Sequence, residues 1–251
     1  MTTGSVALTI AGSDPSGGAG IQADLRTFAA FGVHGASVLT ALTAQDRRGV
    51  RAIAELAPAF VAQQLDAVLD DLEVRAAKTG MLHRARVIDA LVARLRARPL
   101  PHLIVDPVMV ATSGDSLLEP EGIAALRERL LPLATLVTPN LHEAEVLTGR
   151  AVTTVAEMRE AARALVALGA RAALVKGGHL AGDAVDVLYD GRSFRELRAP
   201  RCEGRRLHGT GCVLSAAITA GLARGNDLAE AVAEAKRYVT LAIETAPAGA
   251  Y

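Results

Sequence analysis

Short apolar runs alternate with amphipathic stretches along most of the chain, and this alternation restricts it to a layered α/β sheet fold. Val6–Ala11 (VALTIA) reads as a buried strand, Ile21–Phe31 as an amphipathic helix stopped by Gly32, and Ser37–Thr43 as a second strand. Pro58–Leu72 predicts a helix with proline in its first turn and apolar residues at Phe60, Val61, Leu65, Val68, Leu69 and Leu72. Val74–Ala77 leads into Lys78–Leu82 as a strand and its exit loop. Arg84–Ala97 is then helical, and Leu103–Val108 is a strand whose end carries Asp106. Glu121–Leu131 reads as helix, Leu136–Thr138 as a short strand, Ala156–Leu168 as helix and Ala172–Val175 as a strand running into KGGHL. The period then changes, because Val185–Tyr189 and Ser193–Leu197 flank Asp190-Gly191, a dipeptide suited to a hairpin. Two helices, about Gly211–Ala223 and about Leu228–Thr245, close the pattern.

The expectation is one doubly wound domain over residues 1–251, mostly parallel with a small antiparallel element. With 51 % apolar but only 3 % aromatic residues, its core must be built from Ala, Leu, Val and Ile. Ligands of such sheets bind beyond the carboxyl ends of the strands. Asp14, Lys78, Asp106, Asn140 and Lys176 all fall late in, or just after, an expected strand.

Several function classes drop out. Basic and acidic residues balance at 27 each with no basic stripe, which argues against nucleic acid as a partner. Arg47-Arg48 and Arg205-Arg206 are short pairs that read as solvated surface. Cys202 and Cys212 match neither a CxxC pair nor a zinc spacing, and so few thiols point to a reducing compartment. No basic segment precedes the short apolar run at Val6, and no run approaches the ~20 residues of a membrane span. A cytoplasmic location with no membrane partner is expected. The dinucleotide fingerprint GxGxxG, the Walker pattern, HExxH and the GxSxG elbow are all missing, which removes a Rossmann dehydrogenase and a hydrolase.

The residues that remain suit phosphate and ring chemistry. In GTGC (Gly209–Cys212), two glycines open an expected helix, where unpaired amides and the positive dipole end favour an anion; an ordinary loop capped by Thr210 is the alternative. Cys212 in that first turn is expected to have a lowered pKa and to act as a base for a hydroxyl or to orient it, unless it is a small buried thiol. Asn140-Leu141-His142-Glu143 has the form of a capping box, as does Thr154–Glu157, while the Glu143 carboxylate also suits Mg²⁺ beside nucleotide phosphates. Asp106 in VDPV could position metal or phosphate, or cap a turn, and Lys176 could meet a phosphate or be solvated. The glycines of Ser13–Gly20 let a flat ligand approach the backbone; Asp24 either faces that ligand or is an ordinary exposed acid. Gln45 offers one donor and one acceptor, which matches an aminopyrimidine edge, or is an exposed loop residue.

The segments ALTIAGSDPSGGAGIQADLRTFAAFGVHG, LTAQ, KTGML, VDPVMVATSGDSLL, TPNLHEAEVLTG, LVKGGH and HGTGCVLSAAI, in this order, resemble the hydroxymethylpyrimidine/phosphomethylpyrimidine kinases of thiamine biosynthesis, in the ribokinase-like superfamily. The resemblance implies a ribokinase-like central sheet. It also implies ATP- and Mg²⁺-dependent phosphorylation of 4-amino-5-hydroxymethyl-2-methylpyrimidine to its monophosphate and then to its diphosphate. It places the ring near Gly12, Ala19, Asp24, Gln45, Met81, Val108 and Cys212. Asp106 and Glu143 match metal and phosphate positions, Asn140 opens the NxxE motif, Lys176 matches a nucleotide-phosphate position, and Gly209, Thr210 and Gly211 match the anion hole. A homodimer is implied as well. Val213 stands where Thr is frequent in the family, Thr112 where Lys is common, and Asp46-Arg47-Arg48 where Asn-Thr often stands. The rival readings are a pyridoxal or pyridoxine kinase of the same fold and a non-catalytic pyrimidine sensor.

Overall fold

The computed structural model describes residues 4–46, 49–111, 114–178, 180, 182–201 and 209–246. Arg47-Arg48, Thr112, His179, Cys202, Arg205-Arg206 and all but the first residue of the loop at Arg201–His208 lie outside the described residues.

The expected alternation is present. In chain order the strands are β1 (Val6–Ser13), β2 (His34–Asp46), β3 (Gly49–Glu55), β4 (Val74–Thr79), β5 (His102–Val105), β6 (Leu136–Val137), β7 (Ala173–Val175), β8 (Ala184–Tyr189) and β9 (Phe194–Ala199). The helices are α1 (Gly20–Ala30), α2 (Pro58–Asp71), α3 (Ala85–Ala97), α4 (Pro120–Ala125), α5 (Leu141–Thr148), α6 (Val155–Ala167), α7 (Thr210–Ala223) and α8 (Leu228–Thr245). The strands form one sheet in the order β3-β2-β1-β4-β5-β6-β7-β8-β9. The six central strands run parallel, and antiparallel pairs close both edges, β3 on β2 and β8–β9 on β7. The arrangement is the expected one, a mostly parallel sheet flanked by helices with antiparallel elements at its edges.

Because β1 is covered on both faces, it is apolar almost throughout. Leu8 and Ile10 point into one core with Leu65 of α2, Ile88 and Leu91 of α3 and Leu165 of α6. Ala7 points the other way, toward Phe28 of α1, Ile218 of α7 and Val232 of α8. Truncating any large member of either core to Ala costs about 2–5 kcal/mol. From Leu214 to Ala223 every residue of α7 is buried, so this helix is packed on all sides by small side chains, and a Cβ on Gly221 would meet the Ala231 Cβ of α8 at 3.0 Å. A helix that is apolar all round belongs in a core, and the first turn of this one carries Cys212.

Three expectations need correction. β2 continues to Asp46 and folds back into β3, so Gln45 belongs to a strand rather than a loop. The stretch expected as one helix to Leu131 changes after α4 into a π turn (Leu126–Leu130) and then a 3₁₀ turn (Leu131–Leu133), where Pro132 has no N–H to continue the ladder. Phe60, counted on the apolar face of α2, is 51 % exposed.

Candidate active site

The carboxyl ends of β1, β4, β5, β6 and β7 and the amino ends of α1, α5 and α7 meet on one side of the sheet. At the end of β1 the buried Asp14 organises the glycine-rich loop. Its carboxylate accepts the amides of Ser16 and Ala19 at 2.9 and 2.8 Å, while its own amide donates to Gln22 Oε1 at 2.9 Å. The glycines are required by close approach. Gly20 has φ +60°, and a Cβ there would stand 2.5 Å from the Gly12 oxygen.

The GTGC turn docks on that loop. Gly209 is the N-cap of α7 in the left-handed region (φ 78°), and a Cβ on it would lie 2.1 Å from the Gly18 oxygen. No side chain caps this helix, so its first-turn amides stay open to a ligand. A Cβ on Gly211 would stand 3.2 Å from Lys176 Nζ, which puts that ammonium beside the turn. The positioning follows from Gly209 and Gly211 both being glycine, not from Thr210, whose capping role is not found.

Beneath the turn runs a row of alternating charge: Asp24, Lys78, Asp106, Lys176 and Glu143. Lys78 at the end of β4 and Asp24 on α1 are both wholly buried; Lys78 Nζ donates to both Asp24 oxygens at 2.9 Å, and Thr9 donates to Asp24 Oδ2 at 2.6 Å. Asp24 is therefore neither an exposed first-turn acid nor open to a ligand; it lies below the site. Burial pushes the Asp24 carboxyl up, only partly offset by Lys78 and Thr9. For Lys78 the downward pull of burial is outweighed by Asp24, Cys212 and Asp106, so the ammonium stays charged.

Asp106 follows β5. It accepts Lys176 Nζ at 3.0 Å and Thr138 Oγ1 at 3.2 Å on one oxygen and Ser215 Oγ at 3.1 Å on the other. Burial raises its pKa, but Lys176, Lys78 and the hydrogen bonds hold it below the usual carboxylate value. Asn140 and Glu143 form the expected capping box at the start of α5, with Glu143 Oε2 accepting the Asn140 amide at 2.7 Å and Asn140 Oδ1 accepting the Glu143 amide at 2.8 Å. The same Oε2 lies 4.0 Å from Lys176 Nζ, so structural and electrostatic roles coexist. Burial, with Lys176 opposing and Asp106 adding to it, pushes the Glu143 carboxyl up to about 7.

Cys212 is partly buried between these groups. Its pKa was expected to fall, yet burial pushes the thiol up to about 11. Asp24 and Asp106 reinforce the rise, and Lys78 and the Gly20 amide only moderate it. A helix terminus cannot keep a thiol ionised when two carboxylates share its low-dielectric surroundings.

The residues expected to meet the ring lie near one another. Met81 packs with Ala41 and Leu117, and Val108 lies against that cluster. Met81 Sδ would be 3.3 Å from a Cβ on Gly12, so sulfur and bare backbone face one another. Gln45 sits at a bulge of β2 next to Thr43, whose hydroxyl lies 3.3 Å from Gln45 Oε1. Ala19 is the N-cap of α1 at the mouth of the same loop. The residues singled out in the sequence thus fall into two neighbouring sets: Gly12, Ala19, Gln45, Met81 and Val108, expected to meet the ring, and Asp106, Asn140, Glu143, Lys176 and the GTGC turn, expected to meet phosphate and metal. Two members of the constellation carry no role in the sequence reading: Lys78, which is placed only at a strand end, and Ser215, which is not singled out. A lysine inside the apolar run VRAAKT was the available signal for the first; nothing marked the second. A shallow groove between Phe31, Arg224, Tyr238 and Leu241 lies at the opposite ends of α1 and α7 and takes no part in this site.

A family model described as "Phosphomethylpyrimidine kinase" matches residues 14–250. A hydroxymethylpyrimidine/phosphomethylpyrimidine kinase of Rhizobium meliloti is 56 % identical over 243 residues, covering 96 % of this chain and 91 % of the relative. A crystal structure of phosphomethylpyrimidine kinase from Clostridium difficile superposes with a TM-score of 0.85 at 44 % identity, over 95 % of this chain and 99 % of that one. An ADP complex of Bacillus subtilis pyridoxal kinase superposes with a TM-score of 0.90 at 41 % identity, over 97 % of this chain and 93 % of that one.

Proposed function

The chain belongs to the phosphomethylpyrimidine kinase family, and from that premise we infer how its strand-end site works. The protein is a hydroxymethylpyrimidine and phosphomethylpyrimidine kinase of thiamine biosynthesis, a transferase that uses ATP. The reaction moves the γ-phosphoryl group of ATP onto the hydroxymethyl oxygen of the pyrimidine, then a second one onto the monophosphate.

The observation that carries the site assignment is the uncapped start of α7 lying beside Lys176 and over the Asp24–Lys78 pair. Phosphoryl transfer needs positioning and charge stabilisation more than covalent help. In our reading the Gly209–Cys212 amides meet the charge that builds on the transferring group, and Lys176 holds the nucleotide phosphates. Gln45 reads the ring edge while Met81, Val108, Gly12 and Ala19 pack its faces; Asp24 acts only from beneath.

Burial, reinforced by Asp24 and Asp106, pushes the Cys212 thiol up to about 11, so it holds its proton at neutral pH. Cys212 is therefore not a resident base. It orients the acceptor hydroxyl and relays a proton late: the thiol passes its own proton to an oxygen of the transferred phosphoryl group and regains one from the hydroxyl, which a loose transition state permits.

The donor set fits Mg²⁺ that arrives with the nucleotide. Asp106 and Glu143 provide two carboxylates, and no cluster of three His, Cys, Asp or Glu suited to a resident metal occurs among the described residues. Mg²⁺ is normally held by one or two carboxylates together with substrate phosphates. Bound there, the ion would neutralise phosphate charge. Asp106 and Glu143 would hold it, and Lys176, which now bridges them, would be free to turn toward the phosphates.

One kinase domain over residues 1–251 is the organisation we assign, supported by the single sheet. A cytoplasmic homodimer is our reading from the family resemblance and the cysteine usage. No helix among the described residues is long and apolar enough to cross a membrane. Pyridoxal is the second acceptor to consider, because the B. subtilis pyridoxal kinase shares the fold so closely. Incubation with ATP, Mg²⁺ and hydroxymethylpyrimidine, followed by mass identification of products, tests the assignment: mono- and diphosphate are expected, and an unchanged pyrimidine would refute it.

A further inference from the structure

Lys78 takes no direct part in the reaction described above. It is wholly buried and cannot touch a substrate, yet a charged ammonium at the end of a core strand is costly to keep there unless it serves a purpose. Its surroundings are built for it. Both Asp24 oxygens hold the ammonium at 2.9 Å, and Gly80 leaves it room, since a Cβ there would stand 3.1 Å from Lys78 Nζ. Lys78 follows Ala76 on the sheet face that α1 and α7 cover, and α7 packs directly on β4. Cys212 lies in the first turn of α7, over that strand end.

We propose that Lys78 is a positioning residue for phosphoryl transfer: anchored by Asp24, its fixed positive charge under the start of α7 governs how readily the Cys212 thiol gives up and regains a proton. The inference rests on Cys212 standing beside the acceptor hydroxyl, and it adds the group that tunes it. The charges facing the thiol come from every element around it: Asp24 on α1, Lys78 on β4, Asp106 after β5 and Lys176 after β7. Lys78 is the cation with the greatest influence on the thiol, and Asp24 is the leading opposing anion. Lys176 is engaged with Asp106 and turns to the nucleotide, which leaves Lys78 as the constant term. The Asp24–Lys78 pair is thus a dipole whose two ends act on Cys212 with opposite sign.

The test reads the thiol without reference to turnover. Alkylation of Cys212 by iodoacetamide is followed between pH 7.5 and 9.5, by mass of the peptide carrying it, in the intact protein and in Lys78→Met, Asp24→Asn and the doubly neutral Asp24→Asn/Lys78→Met. Alkylation rate follows the thiolate fraction. Removing Lys78 should slow it by about tenfold, one pH unit in the thiol's midpoint, and Asp24→Asn should speed it. If Lys78→Met does not fold, the double variant against Asp24→Asn isolates the same charge and should show the same slowing. Loosened packing would expose the thiol and speed alkylation in every variant, so a Lys78 variant that is unchanged or faster overturns the proposal. Turnover of Cys212→Ala separates the two claims: wild-type turnover there sinks the role of Cys212, while the alkylation rates still judge Lys78.

Discussion

Lys176 Nζ donates to Asp106 Oδ1 at 3.0 Å across 70 residues of sequence, joining the ends of two strands that are not adjacent in the sheet. The same ammonium lies 4.0 Å from Glu143, so one cation bridges two carboxylates, at the place where the proposed reading puts the nucleotide phosphates. Lys176→Met removes it. The expected result is a fall of at least about tenfold in kcat/KM for ATP, ~1.4 kcal/mol of transition-state stabilisation. Pyrimidine binding measured calorimetrically without ATP should change little.

Glu143 makes stability depend on pH in a defined direction. Its folded-state pKa of about 7 lies above the ordinary 4.5, chiefly through burial, so the folded chain favours the protonated acid. This contribution is fully present below about 4.5 and is lost as pH rises through about 7. Its size is on the order of 3 kcal/mol. Glu143→Gln keeps an acceptor for the Asn140 amide but cannot ionise. Urea midpoints taken from pH 5 to 7.5 should show a shallower decline for the variant than for the parent protein.

The two glycines of the GTGC turn should fail differently. Gly209→Ala forces a Cβ to 2.1 Å from the Gly18 backbone oxygen at a left-handed φ, so the turn and the Ser13–Gly20 loop must separate. A loss of both folding stability and activity is expected, the latter beyond about a hundredfold, the range seen when an anion-hole donor is removed. Gly211→Ala meets only the flexible end of Lys176 at 3.2 Å. It should fold with a near-parental melting temperature and show a raised KM for ATP.

Asn140–Glu143 and Thr154–Glu157 are capping boxes of the same form. Asn140→Ala and Thr154→Ala should each cost about 1 kcal/mol in stability. Only the first box touches the Lys176–Asp106 cluster through Glu143, so only Asn140→Ala should also raise the KM for ATP. Equal kinetic effects would show that capping alone is at work.

Much of this arrangement is legible in the residues themselves. The strand–helix alternation and the hairpin at Asp190-Gly191 need only local patterns, and the box at Asn140 is set by residues three apart. The β2–β3 hairpin is not legible in the same way, because β3 is an edge strand of small and charged residues, with Ala52, Ala54 and Arg51 exposed, so its apolar signal is thin. The Asp24–Lys78 pair joins residues 54 apart, and no local period reports it. For the same reason the direction of the Cys212 shift is not legible in the sequence: the helix start is visible locally, whereas the carboxylates that oppose it come from other elements. The Ser215 contact with Asp106 depends on the rotation of α7 about its axis, which an almost uniformly buried helix does not reveal through periodicity.

The most direct measurement is a steady-state comparison of kcat/KM for hydroxymethylpyrimidine and for pyridoxal with the same enzyme preparation and saturating ATP. A site whose ring-side edge is read by Gln45 and whose phosphate side is the GTGC turn should favour the pyrimidine by at least about tenfold, and Gln45→Ala should erode that preference, as expected when a hydrogen-bonded edge is lost. A higher kcat/KM for pyridoxal, or a pyrimidine preference untouched by Gln45→Ala, would contradict the account.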